Sequence, residues 1–315
     1  MEHLSKYPLL SICCATYNHE PYIRQCIDGF LMQKTDFDFE ILIHDDASTD
    51  KTSDIIREYA ELYPDKIKGI YQSENKYSKG IKIFATYLYP QSRGKYIAMC
   101  EGDDYWTDEY KLQRQVDFLE ANEDYSAIGE NGTILNTIEN KTYPFSKSKE
   151  RDFVASDFIK KRRIPTASVV FRSLAVKDIK MNMDTYLFCF LSTKGKFKYL
   201  PNISSVYRVG MQGVTRQKAI FNEKNLLEYN DALYKLCVPD YASSHTLKTV
   251  RAFIFLGAFV RGVKSKDSDK KIFRYLKSSF QCGFSPFANA VLRYIKDFLL
   301  YRFFKLFGIR YSAIR

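Results

Sequence analysis

Three short polar clusters carry the residue types that chemistry would need. Glu101-Gly102-Asp103-Asp104 places carboxylates almost side by side, Asp45-Asp46 places two more, and Thr16-Tyr17-Asn18 adds hydroxyl and amide groups. Carboxylates this close repel one another unless a cation or hydrogen bonds offset the charge. Hard oxygen donors of this kind suit Mg2+ or Mn2+, which bind through a few protein carboxylates together with substrate phosphates. The other reading of each acidic cluster is a solvated turn capping the next helix. Asp50 or Thr49 can supply that cap after the second cluster, which leaves Asp45 without a capping duty. Neither GxGxxG nor GxxxxGK[ST] occurs, so any phosphates must be held by metal rather than by a glycine-rich backbone cradle. That argues against a dinucleotide dehydrogenase and a P-loop NTPase. His19 and His44 adjoin the clusters but lack the spacing of a two-histidine metal site, and read as local hydrogen-bonding residues.

Each cluster follows a run that reads as a strand. Leu9–Ala15 is a short apolar run, and Pro21 opens a helix whose stripe is Ile23, Cys26, Ile27, Phe30 and Leu31. Phe39–Ile43 is a second strand, followed by a helix to Tyr63 that Pro64 ends. Ile67–Tyr71 reads as a third strand, Gly80–Tyr89 as a helix and Lys95–Cys100 as a fourth strand. Asp108 opens another helix with Leu112, Val116 and Leu119 facing inward. Strands alternating with helices predict an α/β fold built on a doubly wound, mostly parallel sheet. Ligands in such sheets bind beyond the carboxyl ends of the strands, so the three clusters should collect on one rim. Residues 137–163 read as a polar connection and a short basic helix. Ser168–Phe171, Phe197–Leu200 and Ser204–Val209 read as strands, Asp184–Leu191 as a helix, and the chain from 217 onward as helical.

The segments LSICCATYNHEPYI, FEILIHDDASTDKTSDII, GKYIAMCEGDDYWTDEYKLQRQVDFLE, RIPTASVVFRS and YLPNISSVYRVGMQGV follow one another over residues 8–215. In order and spacing this resembles a family 2 glycosyltransferase of the GT-A fold, of the bacterial surface-polysaccharide type. The resemblance implies a Rossmann-like sheet flanked by helices and a nucleotide-sugar donor. It implies that Thr16 and Asn18 border the base and ribose. Asp45, with Asp46 beside it, would accept from the uracil N–H or a ribose hydroxyl. Asp103 matches the last acid of the family's DxD motif, the ligand of a Mg2+ or Mn2+ that bridges to the donor diphosphate. Glu101 stands where many members have the first Asp. Asp104 would bind sugar hydroxyls or loop backbone, and Trp106 would wall the donor or acceptor sugar or pack under the loop. Asp184, in MNMDTYLFCFL, matches the general base of an inverting transfer, although Met183 and Thr185 flank it where relatives often have an acid and an aromatic. Arg208 matches a Tyr-Arg pair that would hold the departing phosphates, and Gly210 stands where relatives often carry His. Thr166 and Ser168 fall in the acceptor-side segment.

The net charge of +11 is uneven. Residues 246–315 hold 15 Lys and Arg against 3 Asp and Glu, a balance of +12, which leaves −1 for residues 1–245. As a helix, residues 290–309 would align Leu292, Ile295, Leu299, Phe303 and Leu306, with Arg293, Lys296, Arg302 and Lys305 off that stripe. Lys270, Lys271, Arg274 and Lys277 lie just upstream. This is the composition of a helix in a membrane interface, where each cation gains about 1 kcal/mol from anionic headgroups. The alternative is a helix packed on the catalytic domain with its cations in water. No helix-turn-helix, zinc or RRM signature accompanies the charge, which argues against nucleic acid. Seven Cys without CxxC spacing read as reduced core thiols. The N-terminal apolar run is too short for a signal peptide, and Arg261 and Arg302 break the longest apolar stretches below a membrane span.

The sequence therefore predicts a GT-A domain over 1–215 and a basic, amphipathic helical extension over 216–315. The expected activity is inverting transfer from a UDP-linked sugar to a glycan or polyprenyl-linked acceptor. The expected location is cytoplasmic, peripheral on the inner face of the cell membrane through residues 268–310. A sugar nucleotidyltransferase would need a glycine-rich N-terminal loop with a basic residue, which is absent between 8 and 20. The rival from another class is a non-catalytic, membrane-surface protein that binds nucleotide-sugars without turnover.

Overall fold

The computed structural model describes residues 7–160, 164–176, 179, 184–210 and separate helical stretches between 228 and 292. The chain divides into two compact units, Met1–Gly210 and Met211–Arg315.

The first unit is built on one mixed sheet. Strands β1 (Leu10–Thr16), β2 (Phe39–Asp45), β3 (Ile67–Tyr71) and β4 (Tyr96–Glu101) are mutually parallel, in the order β3-β2-β1-β4. The runs of β1, β2 and β4 are buried on both faces, as parallel strands between helices must be, whereas the edge strand β3 buries only Ile67. Helix α1 (Ile23–Leu31) turns Ile23, Cys26, Ile27 and Phe30 into the core, and α2 (Thr52–Leu62) buries Ile55 and Ile56. After the two-residue β5 (Tyr105–Trp106), α3 (Lys111–Ala121) buries Leu112, Val116 and Leu119, the face expected from their spacing.

The sheet continues through β6 (Tyr125–Asn136), with β7 (Lys141–Pro144) as a hairpin partner and β8 (Arg151–Phe153) on the far strand. Helix α4 (Ala155–Lys160) precedes β9 (Val170–Arg172), which inserts antiparallel between β4 and β6. Helix α5 (Asp184–Lys194) leads to β10 (Lys196–Val209), parallel to β6 and antiparallel to β5.

Three local readings are corrected. Residues 80–89 are not one α-helix. Gly80 takes φ of 81° and ends a 3-10 turn at Tyr77–Lys79; Phe84–Leu88 then forms a π turn, and a new 3-10 turn follows at Tyr89–Gln91. The Phe197–Leu200 and Ser204–Val209 runs are one strand, whose pairing with β6 shifts register between Leu200 and Ser205. Strand β6 went unread because Gly129, Glu130, Asn131 and Gly132 hide its period. A Cβ on Gly132 would meet Pro165 Cγ and Ser205 O at 2.8 Å, so glycine is required there. Glu130 is fully buried and neutralised by Arg114, with Nε–Oε1 at 2.7 Å and Nη2–Oε2 at 3.1 Å.

In the second unit, the described stretches pack Ala252, Leu256, Cys282 and Val291 together, and Ser279 donates to the Ala252 carbonyl at 2.8 Å. Phe280, Phe284 and Leu292 are exposed. Among the described residues, no helix is long and apolar enough to cross a membrane. Of the stripe expected over 290–309 only Leu292 is described, and most of 268–310 lies outside the described residues.

Candidate active site

Strands β1, β2 and β4 are adjacent and parallel, so their carboxyl ends share one rim. The register pairs Thr16 with Asp45 and Ala15 with Glu101. Three of the expected clusters are thus brought together by the sheet itself.

The loop after β1 is fixed to the loop after β2. Asn18 sits at φ 54°, a left-handed conformation that Asn tolerates. Its N–H donates to Ser48 Oγ at 2.9 Å and its Oδ1 accepts from Thr49 N–H at 2.8 Å. Ala47 is also left-handed, at φ 59°, a strain that persists only where the surroundings fix it. The fixing groups are the two carboxylates that precede it. Asp45, 2% exposed, accepts from Ser48 N–H at 3.1 Å and from Ser48 Oγ at 2.5 Å. Burial raises the Asp45 carboxyl above the ordinary range, against the hydrogen bonds from Ser48. Asp46, 3% exposed, uses Oδ1 for the N–H of Lys76 and Oδ2 for that of Tyr77, each at 2.9 Å. Asp46 therefore clamps the Tyr77–Lys79 turn to the rim. Neither Asp50 nor Thr49 is the cap of α2: Lys51 holds the N-cap position without a side-chain cap bond, and Asp50, one residue earlier, accepts from Thr52 N–H at 3.0 Å through Oδ1.

The acidic loop after β4 turns on Gly102, whose N–H donates to Ala15 O at 2.9 Å. Among the described residues, one group of His, Cys, Asp or Glu could hold a metal ion: Glu101, Asp103 and Asp104 offer oxygens within 4.8 Å of one another. The donor set is hard, compact and all oxygen, and it fits Mg2+ or Mn2+. Asp104 is 1% exposed and accepts from Arg208 N–H at 2.9 Å. Arg208 also donates from Nη1 to the Asp103 carbonyl and from Nη2 to Gln25 Oε1, and its guanidinium lies 4.3 Å from the centre of the Tyr105 ring. Arg208 thus ties the end of β10 to the acidic loop.

Asp184 begins α5. Burial, then the negative charges of Glu101 and Asp184, push the Tyr77 phenol up, so both acids act on the same ring. Trp106 is placed differently. It is 2% exposed, its Nε1 donates to Ala167 O at 2.6 Å, and its ring packs edge-on to Phe30 at 4.7 Å. Of the two roles the sequence offered, Trp106 takes the packing role beneath the loop. Lys111 Nζ stands 4.4 Å from the centre of that ring and donates to Gln115 Oε1 at 2.8 Å, while Gln115 donates to Ser168 O. Ser168, part of that network, and Thr166 are both buried.

The sequence profile of glycosyl transferase family 2 matches residues 11–178, which spans every element from β1 to β9. The chain belongs to glycosyl transferase family 2. Its relatives include the Mycobacterium bovis protein Mb1547, 36% identical over 212 residues, covering 65% of this chain and 60% of that protein. TuaG of Bacillus subtilis, named as a teichuronic acid biosynthesis glycosyltransferase, is 30% identical over 135 residues, covering 41% of this chain and 51% of TuaG. The chain thus matches only part of the length of these relatives. The structure of S. aureus TarS 1–349 in complex with UDP-GlcNAc is similar at TM-score 0.61 and 16% identity, over 96% of this chain and 93% of that one. That likeness establishes the GT-A fold.

Within this family 2 chain, sequence reasoning passed over three rim residues. Tyr77 is held by Asp46 from about thirty residues away, a pairing no local pattern signals. Gln25 follows the polar loop and meets Arg208 only through the fold. His19 was read as a local hydrogen-bonding residue. Its N–H donates to Thr52 Oγ1 at 2.8 Å, but its ring lies over the acidic loop, with Nε2 4.0 Å from Asp103 Oδ2. Burial lowers the His19 pKa, against the pull of Asp103.

Proposed function

We propose that the chain transfers a sugar, with inversion, from a UDP-linked donor to a glycan or polyprenyl-linked acceptor in surface-polysaccharide synthesis. The observation that carries this reading is the Glu101-Asp103-Asp104 cluster on the rim that also carries Thr16 and Asp45. Membership of family 2 supports the reaction class, and the named roles of TuaG and the ligand of TarS support the polysaccharide setting and the donor.

Asp45 is buried, and each of its two oxygens accepts one bond from Ser48 and keeps lone-pair capacity to accept from the base or ribose as well. Thr16 and Asn18 shape the same edge. Glu101 and Asp103 hold Mg2+ or Mn2+, which when bound neutralises the leaving diphosphate. Arg208, fixed by Asp104, adds positive charge beside that site. Asp184 takes the proton from the acceptor hydroxyl as it attacks the anomeric carbon. The basic segment 268–310 brings the chain to an anionic membrane surface, where a lipid-linked acceptor would reside.

The test is transfer from UDP-sugars by the wild type and by Asp184→Asn. The variant should bind UDP with metal as the wild type does, while turnover falls at least about 100-fold, the usual worth of a general base. Turnover within a few-fold of wild type would remove Asp184 from this role.

A further inference from the structure

We propose that His19 is a positioning residue for the cation, donating from Nε2 to Asp103 Oδ2 and holding that carboxylate in its ligating orientation. This rests on the reading of Asp103 as a metal ligand.

The ring has little freedom. The His19 N–H is bound to Thr52 Oγ1, and its carbonyl accepts from Tyr22 N–H at 2.8 Å and Ile23 N–H at 2.9 Å, which fixes the residue at the start of α1. The Tyr22 ring meets the imidazole edge-on at 6.5 Å. Nε2 is 4.0 Å from Asp103 Oδ2, just beyond the reach of a hydrogen bond. A rotation of the carboxylate that brings Oδ2 about 1 Å nearer the ring would close that gap.

The two edges of the ring face different surroundings. His19 Nδ1 is buried and has no hydrogen-bond partner among the described residues, and the same holds for Thr16 Oγ1. Both atoms lie 2.9 Å from where a Cβ on Gly102 would stand, so they crowd the same side of the loop glycine. Nδ1 has no hydrogen-bond partner on its side to hold a proton, whereas Nε2 faces a carboxylate oxygen, an acceptor. The neutral ring therefore carries its proton on Nε2, the nitrogen directed at Asp103. Gly102 is what allows this approach, because any side chain there would push the ring off the loop. Groups that orient metal ligands from outside the coordination shell are worth 10–100-fold in metal affinity.

The experiment is Mn2+ binding in the presence of UDP, read from the electron paramagnetic resonance signal of free Mn2+. The chains are wild type, Asp103→Ala, His19→Phe, His19→Asn and His19→Gln, each with its thermal unfolding recorded. Gln places an amide N–H near the position of Nε2, and Asn near that of Nδ1. His19→Phe and His19→Asn should bind Mn2+ about 10–100-fold more weakly, and His19→Gln should recover to within a few-fold of wild type. Thermal unfolding without ligand should stay close to wild type in all three His19 variants. His19→Phe binding Mn2+ as tightly as wild type overturns the proposal, as does a His19→Gln no better than His19→Phe. Failure of the wild type itself to bind Mn2+ with UDP would overturn the metal reading of the acidic loop, and this proposal with it.

Discussion

Replacing Asp46 by Ala should unfasten the Tyr77–Lys79 turn and leave the rest of the sheet in place. Asp46 is 3% exposed, and each of its two oxygens accepts one backbone N–H at 2.9 Å. Hydrogen bonds to a charged group are worth about 1.5–3 kcal/mol each. The two amides are only partly buried and recover bonds to water, so the low end applies and the pair amounts to about 3 kcal/mol. With a urea m-value near 3 kcal/mol/M, the unfolding midpoint should fall by about 1 M. The assay is built in: the single Trp, Trp106, is 2% exposed beside the acidic loop, so its fluorescence follows unfolding of the first unit. Trypsin gives a second readout, because Lys76 and Lys79 lie in the released turn. Cleavage at these two sites should accelerate under native conditions, where opening is local. Asp46→Asn should fall between, since Asn keeps one acceptor oxygen and sets an NH2 against the other N–H. An Asp46→Ala midpoint within 0.2 M or so of wild type, with unchanged tryptic cleavage, would refute the clamp.

Lys111 is fully buried, and burial lowers its pKa to about 8. Its folded pKa lies below its unfolded one, so the unfolded chain binds the extra proton between about pH 8 and 10.5 and stability rises through that window. Relative to Lys111→Met, urea unfolding of the wild type should gain up to about 3 kcal/mol between pH 7.5 and 10.5; a constant difference would contradict the burial argument. Trp106→Phe removes the hydrogen bond to Ala167 O and should cost about 1–3 kcal/mol of stability in urea unfolding. Its KM for donor should stay within about 2-fold, whereas a large rise in KM at unchanged stability would return Trp106 to the sugar site.

What the sequence disclosed divides along physical lines. Strands β1, β2 and β4 were legible because a strand buried on both faces is a plain apolar run, and the polar residue that ends it is conspicuous. The sheet rule then placed Thr16, Asp45 and Glu101 on one rim without any three-dimensional knowledge. Strand β6 was not legible, because Glu130 is neutralised by an arginine from another element and Gly132 answers to a neighbour 73 positions on. Asp46 and Asp45 look alike in sequence. They differ only in what the fold brings to them: two backbone amides for one, and the Ser48 side chain and amide for the other. Trp106 was ambiguous for the same reason, since an aromatic after an acidic loop can face either way until Phe30 and Ala167 are seen to enclose it.

The most direct measurement is a thermal-shift titration of the full chain with UDP, GDP, CDP and dTDP, each with and without Mn2+, repeated on Asp103→Ala. A ligand held at 100 times its Kd adds about 2.7 kcal/mol, a readily visible rise in Tm. A rise with UDP that needs Mn2+ and disappears in Asp103→Ala is the expected result. No rise with any nucleotide, or a rise that survives both removal of metal and loss of Asp103, would contradict the assignment of the acidic loop as the site of a metal-bound donor diphosphate.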